Sequence, residues 1–396
     1  MKKLAELIAG EIRRSGPITF ARFMELALYC PVYGYYERQE DTIGRRGDFL
    51  TSVSVGGLFG ELLAFQFSEW LEEIPPRSRK AQAPADESAS GGSAVVAEAP
   101  ERKVQLVEAG AHDGRLAGDI LEWLRRHRAG LFERLEYWIL EPSAQRRERQ
   151  QCHLSQFSPV VKWTAGFEEL RRVGRPQSAS REAPCVCGVI FSNELLDALP
   201  VHRFGWDVAE RRWFEWGVRL DAGRFQWARL PLGETRFADD QIAALAPALP
   251  DGFTIELCPA AAEWWLAAAS SLRRGKLLTI DYGCTADERV LPERPQGTLR
   301  AFYGHHPSED LLARPGEQDL TADVDFKELI RAGESAGLTT EQFVTQEKFL
   351  MEIARRVWHG GASDSPWTPE RRRQFQTLTH PDHLGRAFRV LLQSRT

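Results

Sequence analysis

The sequence predicts an α/β fold, a mostly parallel sheet covered by helices on both faces. Three observations predict it. Short apolar runs recur at 104–107, 136–140, 189–192 and 276–280. Amphipathic helical patterns at 116–128 and 144–154 lie among them. The runs are close to continuously apolar, as strands buried on both faces are, and strand–helix alternation of this kind builds parallel sheets. At 396 residues, 43 % hydrophobic and 27 % charged, the chain has an ordinary globular composition and can bury a sizeable core.

The chain begins MKKLAELIAGEIRR, with Leu4, Leu7, Ile8 and Ile12 at helical spacing and glutamates after two lysines. That is an amphipathic helix rather than a secretion signal or transit peptide. Residues 18–28 form a second helical pattern, closed by Pro31. A loop rich in glycine and aromatics, PVYGYYERQEDTIGRRGDFLTS, leads to a helix over 59–71. Lying before any strand, residues 1–74 read as a helical N-terminal cap with a glycine-rich loop. Residues 75–100 hold no aromatic and only Val95 and Val96 as branched aliphatics. That is too little apolar surface to offset the entropy of ordering, so 75–103 reads as a flexible loop.

Residues 104–396 form the main domain. Within it, 160–163 is a short strand candidate, 175–184 a second loop, and 342–346 and 388–392 late strand candidates. Residues 211–220 and 224–230 flank Asp221-Ala222-Gly223, a hairpin signal that makes 201–255 an inserted antiparallel β segment. Its tryptophans, Trp206 to Trp227, serve either sheet packing or the docking of a protein, and packing is the plainer reading. Asp319, Thr321, Asp323 and Asp325 read as capping for a helix over 326–332.

A formal net charge of −5 argues against a nucleic-acid partner bound by phosphate neutralisation. The six cysteines are scattered. Only Cys185 and Cys187 lie close, and no second pair completes a zinc site. His305 and His306 lack a third ligand at convincing spacing, so no metal is expected. Reduced thiols and no run near the roughly 20 apolar residues of a membrane span predict a cytoplasmic protein without membrane insertion.

The stretch VQLVEAGAHDGRL, 104–116, passes from strand through a glycine turn into a helix. Ligands of open parallel sheets bind beyond the carboxyl ends of the strands. Gly110 permits the tight turn, and Gly114 lets the backbone approach a ligand or the helix pack closely. This spacing serves nicotinamide-binding turns, adenosylmethionine-binding turns and ordinary tight connections. Glu141 ends the second strand, 33 positions after Glu108. A carboxylate there can accept both hydroxyls of a ribose, or can be a solvated strand end. His112 reads as a loop side chain replacing a glycine that was not at positive φ, with a hydrogen bond to the cofactor as the alternative.

Four further stretches are specific together. They are LALYCPVYGYYERQEDTIGRRGDFLTS followed by LFGELLAFQFSEW, then IFSNELLDALPVHRF, then ELCPAAAEWW with LLTIDYG, then GTLRAFYGHH with RPGEQDLTADVDF. In this order, over about residues 18–346, the chain resembles the MidA-like family of S-adenosylmethionine-dependent methyltransferases. HLGRAFRVLL near the end adds to the resemblance. It implies the class I methyltransferase fold, Rossmann-like, with seven strands of which the last is antiparallel, a helical N-terminal region and an inserted β segment. It also implies S-adenosylmethionine as cofactor, with Glu108, Gly110 and Gly114 lining its site, Glu141 on its ribose, and His112 and Pro142 beside them.

Gly44, Gly47, Asp48, Phe49, Thr51 and Ser52 match the glycine-rich loop that closes over the family's pocket. Asn193, Glu194 and Asp197 match its motif after the fourth strand. The family's mitochondrial members are protein-arginine methyltransferases that support respiratory complex I assembly, so a protein partner is expected, a respiratory-chain subunit among the candidates. Relatives read E-L-G-P-G-x-G where this chain has Ala109, Ala111 and His112. They often read T-S-P-E-I-S where it has Thr51-Ser52-Val53-Ser54-Val55-Gly56, so that Ser54 stands in place of a carboxylate.

Methyl transfer from a sulfonium is an in-line displacement, and the protein's task is alignment. An arginine acceptor stays charged, its pKa being above roughly 12, and carboxylates must orient it by taking its other N–H groups. Glu194 and Asp197 would face the same way if a helical turn starts at Glu194. They are the expected catalytic clamp or, equally, acids at a helix N-terminus. Asn193 is expected to meet the cofactor or a backbone group. Arg300 and His305 are the candidate substrate contacts. The leading reading is thus a methyltransferase of a protein arginine. A cofactor-binding assembly or scaffold protein without turnover and a nicotinamide-dependent oxidoreductase are the alternatives. The oligomeric state stays open.

Overall fold

The computed structural model describes residues 2–38, 51–74, 103–173, 184–232, 248–289, 291, 293–304, 306–359 and 367–396. Residues 44–49 of the glycine-rich loop, the loop at 75–100 and residues 175–183 lie outside the described residues. The chain opens with α1 (Lys2–Ser15), β1 (Ile18–Thr19), α2 (Phe20–Tyr29), α3 (Ser52–Val55) and α4 (Leu58–Glu72). Alternation follows: β2 (Val104–Ala109), α5 (Arg115–His127), α6 (Ala129–Glu133), β3 (Leu135–Leu140), α7 (Ala144–His153), β4 (Val161–Thr164), α8 (Phe167–Val173) and β5 (Val186–Asn193). The inserted segment supplies β6 (His202–Asp207), β7 (Arg212–Asp221), β8 (Arg224–Leu230) and β9 (Thr254–Leu257). Then come α9 (Pro259–Ser271), β10 (Leu272–Cys284), α10 (Ala286–Arg289), β11 (Arg300–Tyr303), β12 (His306–Ser308), β13 (Asp319–Thr321) and β14 (Val324–Asp325). The chain ends with α11 (Phe326–Ser335), β15 (Thr339–Thr345), α12 (Gln346–His359), α13 (Pro369–Thr379) and β16 (Phe388–Arg395).

The central sheet has the order β15-β16-β10-β5-β2-β3-β4. Its strands β4, β3, β2, β5 and β10 run parallel, and β16 lies antiparallel between β10 and β15. These are the seven expected strands with the last one reversed, and β14 adds a short parallel piece beside the end of β10. Successive side chains enter opposite cores, as the period of two requires. Leu106, Tyr137, Val189 and Leu278 pack under α4, α5 and α12. Val107, Trp138, Ile190 and Leu277 pack under α9 and α11. Helix α4 therefore covers the sheet itself, with Phe67 and Phe191 ring centroids 4.9 Å apart.

Several elements differ from expectation for identifiable reasons. Residues 18–28 were expected to be all helix, but Ile18 and Thr19 pair with Val218 and Gly217 of β7, and the Thr19 hydroxyl accepts the Arg22 N–H at 3.2 Å to cap α2. Strand β10 runs well beyond 276–280, because polar residues on either side continue the ladders with β5 and β16. The expected capping run splits. Asp325 alone caps α11, accepting the Lys327 and Glu328 N–H groups at 3.1 and 3.3 Å. Asp319 and Thr321 instead pair with β11 in a small sheet, β12-β11-β13.

The inserted hairpin matches expectation. Asp221 pairs with Arg224 across Ala222 and Gly223, whose φ values of 45° and 79° give the two left-handed positions such a turn demands. Trp206 and Trp213 are buried with centroids 5.4 Å apart, which supports the packing reading of these rings.

Candidate active site

The carboxyl edge of β2 turns sharply into α5. Gly110, His112 and Gly114 have φ values of 77°, 47° and 84°, so three of five consecutive residues are left-handed. A Cβ at Gly110 would lie 3.1 Å from Leu195, and one at Gly114 3.1 Å from Leu154. Both glycines are thus required by conformation and by space. The expectation that His112 replaces a glycine outside the left-handed region is overturned. Histidine tolerates this backbone better than most residues, and the Gln150 side chain donates to the His112 carbonyl at 2.9 Å. Glu108 is buried with the Tyr137 hydroxyl donating to it at 2.7 Å. Burial pushes its carboxyl up to about 7, against the pull of that phenol.

Glu141 stands at the end of β3, also buried. One carboxylate oxygen accepts the Ser143 N–H at 3.0 Å and the other the Gln150 amide at 3.1 Å. A carboxylate has about four acceptor positions, so two remain for a diol. Burial raises its pKa although Arg146 stands nearby. Glu141 and Pro142 line a groove of about 1770 Å³ with Gly110, Leu140, Phe167 and Leu195. Its largely apolar walls, with Glu141 at the end of β3, fit a nucleoside.

Past β5 the chain makes a left-handed step at Glu194, φ 52°. No helix starts there, so the helical turn expected to align Glu194 with Asp197 is absent. A turn brings the two acids together instead. Ser52 N–H and the Asn193 amide each donate to Glu194 Oε1 at 3.0 Å. Asn193 Oδ1 is buried and has no hydrogen-bond partner among the described residues, so an acceptor stands ready for a ligand. Glu108, Gly110, His112, Asn193, Glu194 and Thr51 line a cavity of about 560 Å³. Ser54 lies there too, and its hydroxyl accepts the Thr51 N–H at 2.9 Å while Thr51 Oγ1 accepts the Ser54 N–H at 3.0 Å. That is a capping box on α3, so the serine keeps the reciprocal contact that a carboxylate at this position would make.

A second cavity of about 570 Å³ shares Thr51 and Glu194 with the first. Asp197 and Asp319 add carboxylates to it, Tyr36, Tyr282 and Phe302 add rings, and Arg300 is at its edge. The Tyr36 hydroxyl donates to Asp319 Oδ1 at 2.8 Å. Burial and the neighbouring Asp197 push Glu194 up to about 8. Burial, then Asp281 and Asp319, hold Asp197 well above the usual carboxylate range. Such a cluster in one cavity suits a cation, and no group of three or more His, Cys, Asp or Glu among the described residues is arranged to hold a metal. Arg300 ion-pairs with Asp323 and lies 5.8 Å from the Tyr282 ring centroid. His305, Gly47 and Asp48 lie outside the described residues.

Sequence reasoning missed Asp319, Asp281, Tyr36 and Tyr282. Asp319 read as capping, and the other three lie in the stretches LALYCPVYGYYERQEDTIGRRGDFLTS and LLTIDYG, where nothing local sets them apart from their neighbours.

Comparisons with known proteins agree with this geometry. A family model described as an S-adenosyl-L-methionine-dependent methyltransferase matches residues 94–344. A mouse relative named "Protein arginine methyltransferase NDUFAF7, mitochondrial" is 29 % identical over 96 % of this chain and 81 % of its own. Its human counterpart is 28 % identical over 96 % and 80 %. A protein from Burkholderia thailandensis, solved bound to S-adenosyl-homocysteine, superposes with a TM-score of 0.78 at 29 % identity, covering 100 % of this chain and 92 % of the other. The nicotinamide alternative falls to the family match. The cytoplasmic expectation is overturned as well, because the curated relatives are named as mitochondrial. Among the described residues, no helix is long and apolar enough to cross a membrane.

Proposed function

The chain belongs to the S-adenosyl-L-methionine-dependent methyltransferase family, and on that premise we propose that it methylates an arginine side chain of a protein. The observation that carries this reading is the meeting of two cavities at Thr51 and Glu194, one along the glycine turn and one lined by acids and rings. The names of the relatives, protein arginine methyltransferases, support it. A respiratory-chain subunit is the candidate partner.

In this reading Glu141 and Pro142 hold the ribose end of the cofactor, and Gly110 and Gly114 let the backbone approach it. His112, Glu108 and Asn193 face its amino-acid end. Thr51 and Ser52 close the side toward the acceptor. The bound cofactor supplies an electrophilic methyl group whose bond to sulfur breaks as the new bond to nitrogen forms.

The chain's own residues prepare the acceptor. A guanidinium entering the acidic cavity displaces protons from Glu194 and Asp197, which then accept its N–H groups in forked hydrogen bonds. Tyr36, Tyr282 and Phe302 offer ring faces to the cation. Held this way, the guanidinium turns one nitrogen toward the shared wall at Glu194. The proton lost from that nitrogen passes to the Glu194 carboxylate. Arg300 stands toward the rim as an anchor for the substrate.

Incubation with methyl-tritiated cofactor and arginine-containing peptides, followed by mass spectrometry of the product, tests the reading. Methyl groups on arginine nitrogen uphold it. Methyl groups on lysine or on a carboxylate overturn it.

A further inference from the structure

We propose that Asp281 is a positioning residue of the acceptor site, fixing the turn at 193–197 through two backbone N–H groups. The proposal rests on the acceptor reading above only for the chemistry the turn serves.

Strand β10 is in parallel register with β5, Ile280 opposite Asn193, so Asp281 lies one residue beyond their last pair. There the left-handed step at Glu194 takes the chain off the ladder. Its last sheet-like contact is the Glu194 N–H on the Ile280 carbonyl at 3.0 Å. The next two N–H groups have left the sheet and need acceptors. Asp281 Oδ2 takes both, from Leu195 at 3.1 Å and Leu196 at 2.8 Å. Its Oδ1 takes the Tyr282 N–H at 2.9 Å. The side chain is fully buried, so Asp281 acts on the acceptor only through the turn.

Asp197 lies beside Asp281, and burial and this neighbouring carboxyl hold it well above the usual carboxylate range. The titratable and charged groups facing the pair are Glu194 on the turn, Asp319 on β13, Arg300 on β11, Tyr282 on β10, Tyr29 on α2, Tyr36 and Cys258. The backbone bonds fix Asp281, and through Leu195 and Leu196 they hold Glu194 and Asp197 toward one cavity.

Two substitutions separate positioning from general support. Asp281→Asn keeps an oxygen for Leu195 and Leu196 and removes the ionisable group beside Asp197. Asp281→Ala removes both the acceptor and the ionisable group. Hydrogen exchange of the Leu195 and Leu196 amides should stay near that of the parent in Asp281→Asn and quicken at least tenfold in Asp281→Ala. Methylation of an arginine-containing peptide by Asp281→Asn should stay within tenfold of the parent, with the acid limb of the pH profile moved to lower pH. Asp281→Ala should lose at least 100-fold in kcat while its affinity for S-adenosylhomocysteine, measured by calorimetry, stays within threefold.

Equal exchange rates at Leu195 and Leu196 in the two variants, equal losses of kcat, or loss of S-adenosylhomocysteine binding in Asp281→Ala overturns the proposal. A parent protein that binds S-adenosylhomocysteine, whose variants show the exchange difference, yet which methylates no arginine peptide, upholds the positioned turn and overturns only the arginine acceptor.

Discussion

The Ser52 N–H donates to Glu194 Oε1 at 3.0 Å, joining residues 142 positions apart at the wall shared by two cavities. The bond ties the start of α3 to the turn after β5. It also holds a carboxylate whose pKa burial and Asp197 push up to about 8. A carboxyl raised in this way binds its proton more tightly in the folded protein than in the unfolded chain. Its destabilising effect is therefore absent below the ordinary value of 4.5 and grows as pH rises to about 8.

Glu194→Gln should remove that effect and the acceptor carboxylate together. The variant should melt higher than the parent, with the difference growing from pH 5 to pH 8 and reaching about 1–2 kcal/mol. Its kcat for methyl transfer should fall at least 100-fold. Thermal melts across that pH range check the first statement and initial rates the second. A variant no more stable at pH 8 than at pH 5 would refute the raised carboxyl.

Gly110 sets the approach of the backbone to the ligand. Its φ of 77° and the 3.1 Å distance from a Cβ to Leu195 leave no room for a side chain. Gly110→Val should cost roughly 1–3 kcal/mol of stability from the left-handed backbone and the crowding. It should weaken S-adenosylhomocysteine binding at least tenfold by calorimetry. Full-strength binding would remove the glycine turn from the cofactor site.

The sheet is legible in the sequence because burial on both faces leaves continuous apolar runs, and the hairpin because only Ala222-Gly223 interrupts two aromatic strands. The cofactor edge is legible through Gly110, Gly114 and Glu141, whose spacing follows from a strand–turn–helix path. The acidic cavity is legible only through Thr51, Glu194, Asp197 and Arg300. Asp319 comes 125 positions after Glu194 and reaches it only because β13 pairs with β11, a long-range match that no local pattern announces. The left-handed step at Glu194 is equally silent, since glutamate carries no mark of positive φ. Without it, spacing alone suggests a helical turn that the backbone does not make.

His112 occupies a left-handed position where glycine pays no steric penalty. His112→Gly should raise stability by up to about 1 kcal/mol, the gain being trimmed by the greater freedom of glycine in the unfolded chain. If the imidazole is a loop side chain, S-adenosylhomocysteine affinity should stay within threefold. A tenfold loss by calorimetry would mean that the ring itself holds the ligand.

Glu141 should act on affinity more than on turnover. Glu141→Gln keeps an acceptor for one of the two donors, Ser143 or Gln150, and loses the paired acceptor face. The expected result is a 10- to 100-fold rise in the cofactor KM with kcat within threefold. A fall in kcat at saturating cofactor would move Glu141 from ribose binding to alignment of the transfer.

Ser54 tests whether departure from the family pattern costs function. Its hydroxyl closes the capping box with Thr51, and α3 carries the Ser52 N–H that holds Glu194. Ser54→Ala opens the box, which should cost about 1 kcal/mol and raise the cofactor KM several-fold as Ser52 loosens. Ser54→Glu restores the residue common among relatives, and its longer side chain can reach the same Thr51 N–H. It should leave melting temperature and KM near those of the parent. If Ser54→Glu instead weakens cofactor binding while the melt is unchanged, the serine is there to leave space in the cavity, and its capping role is secondary.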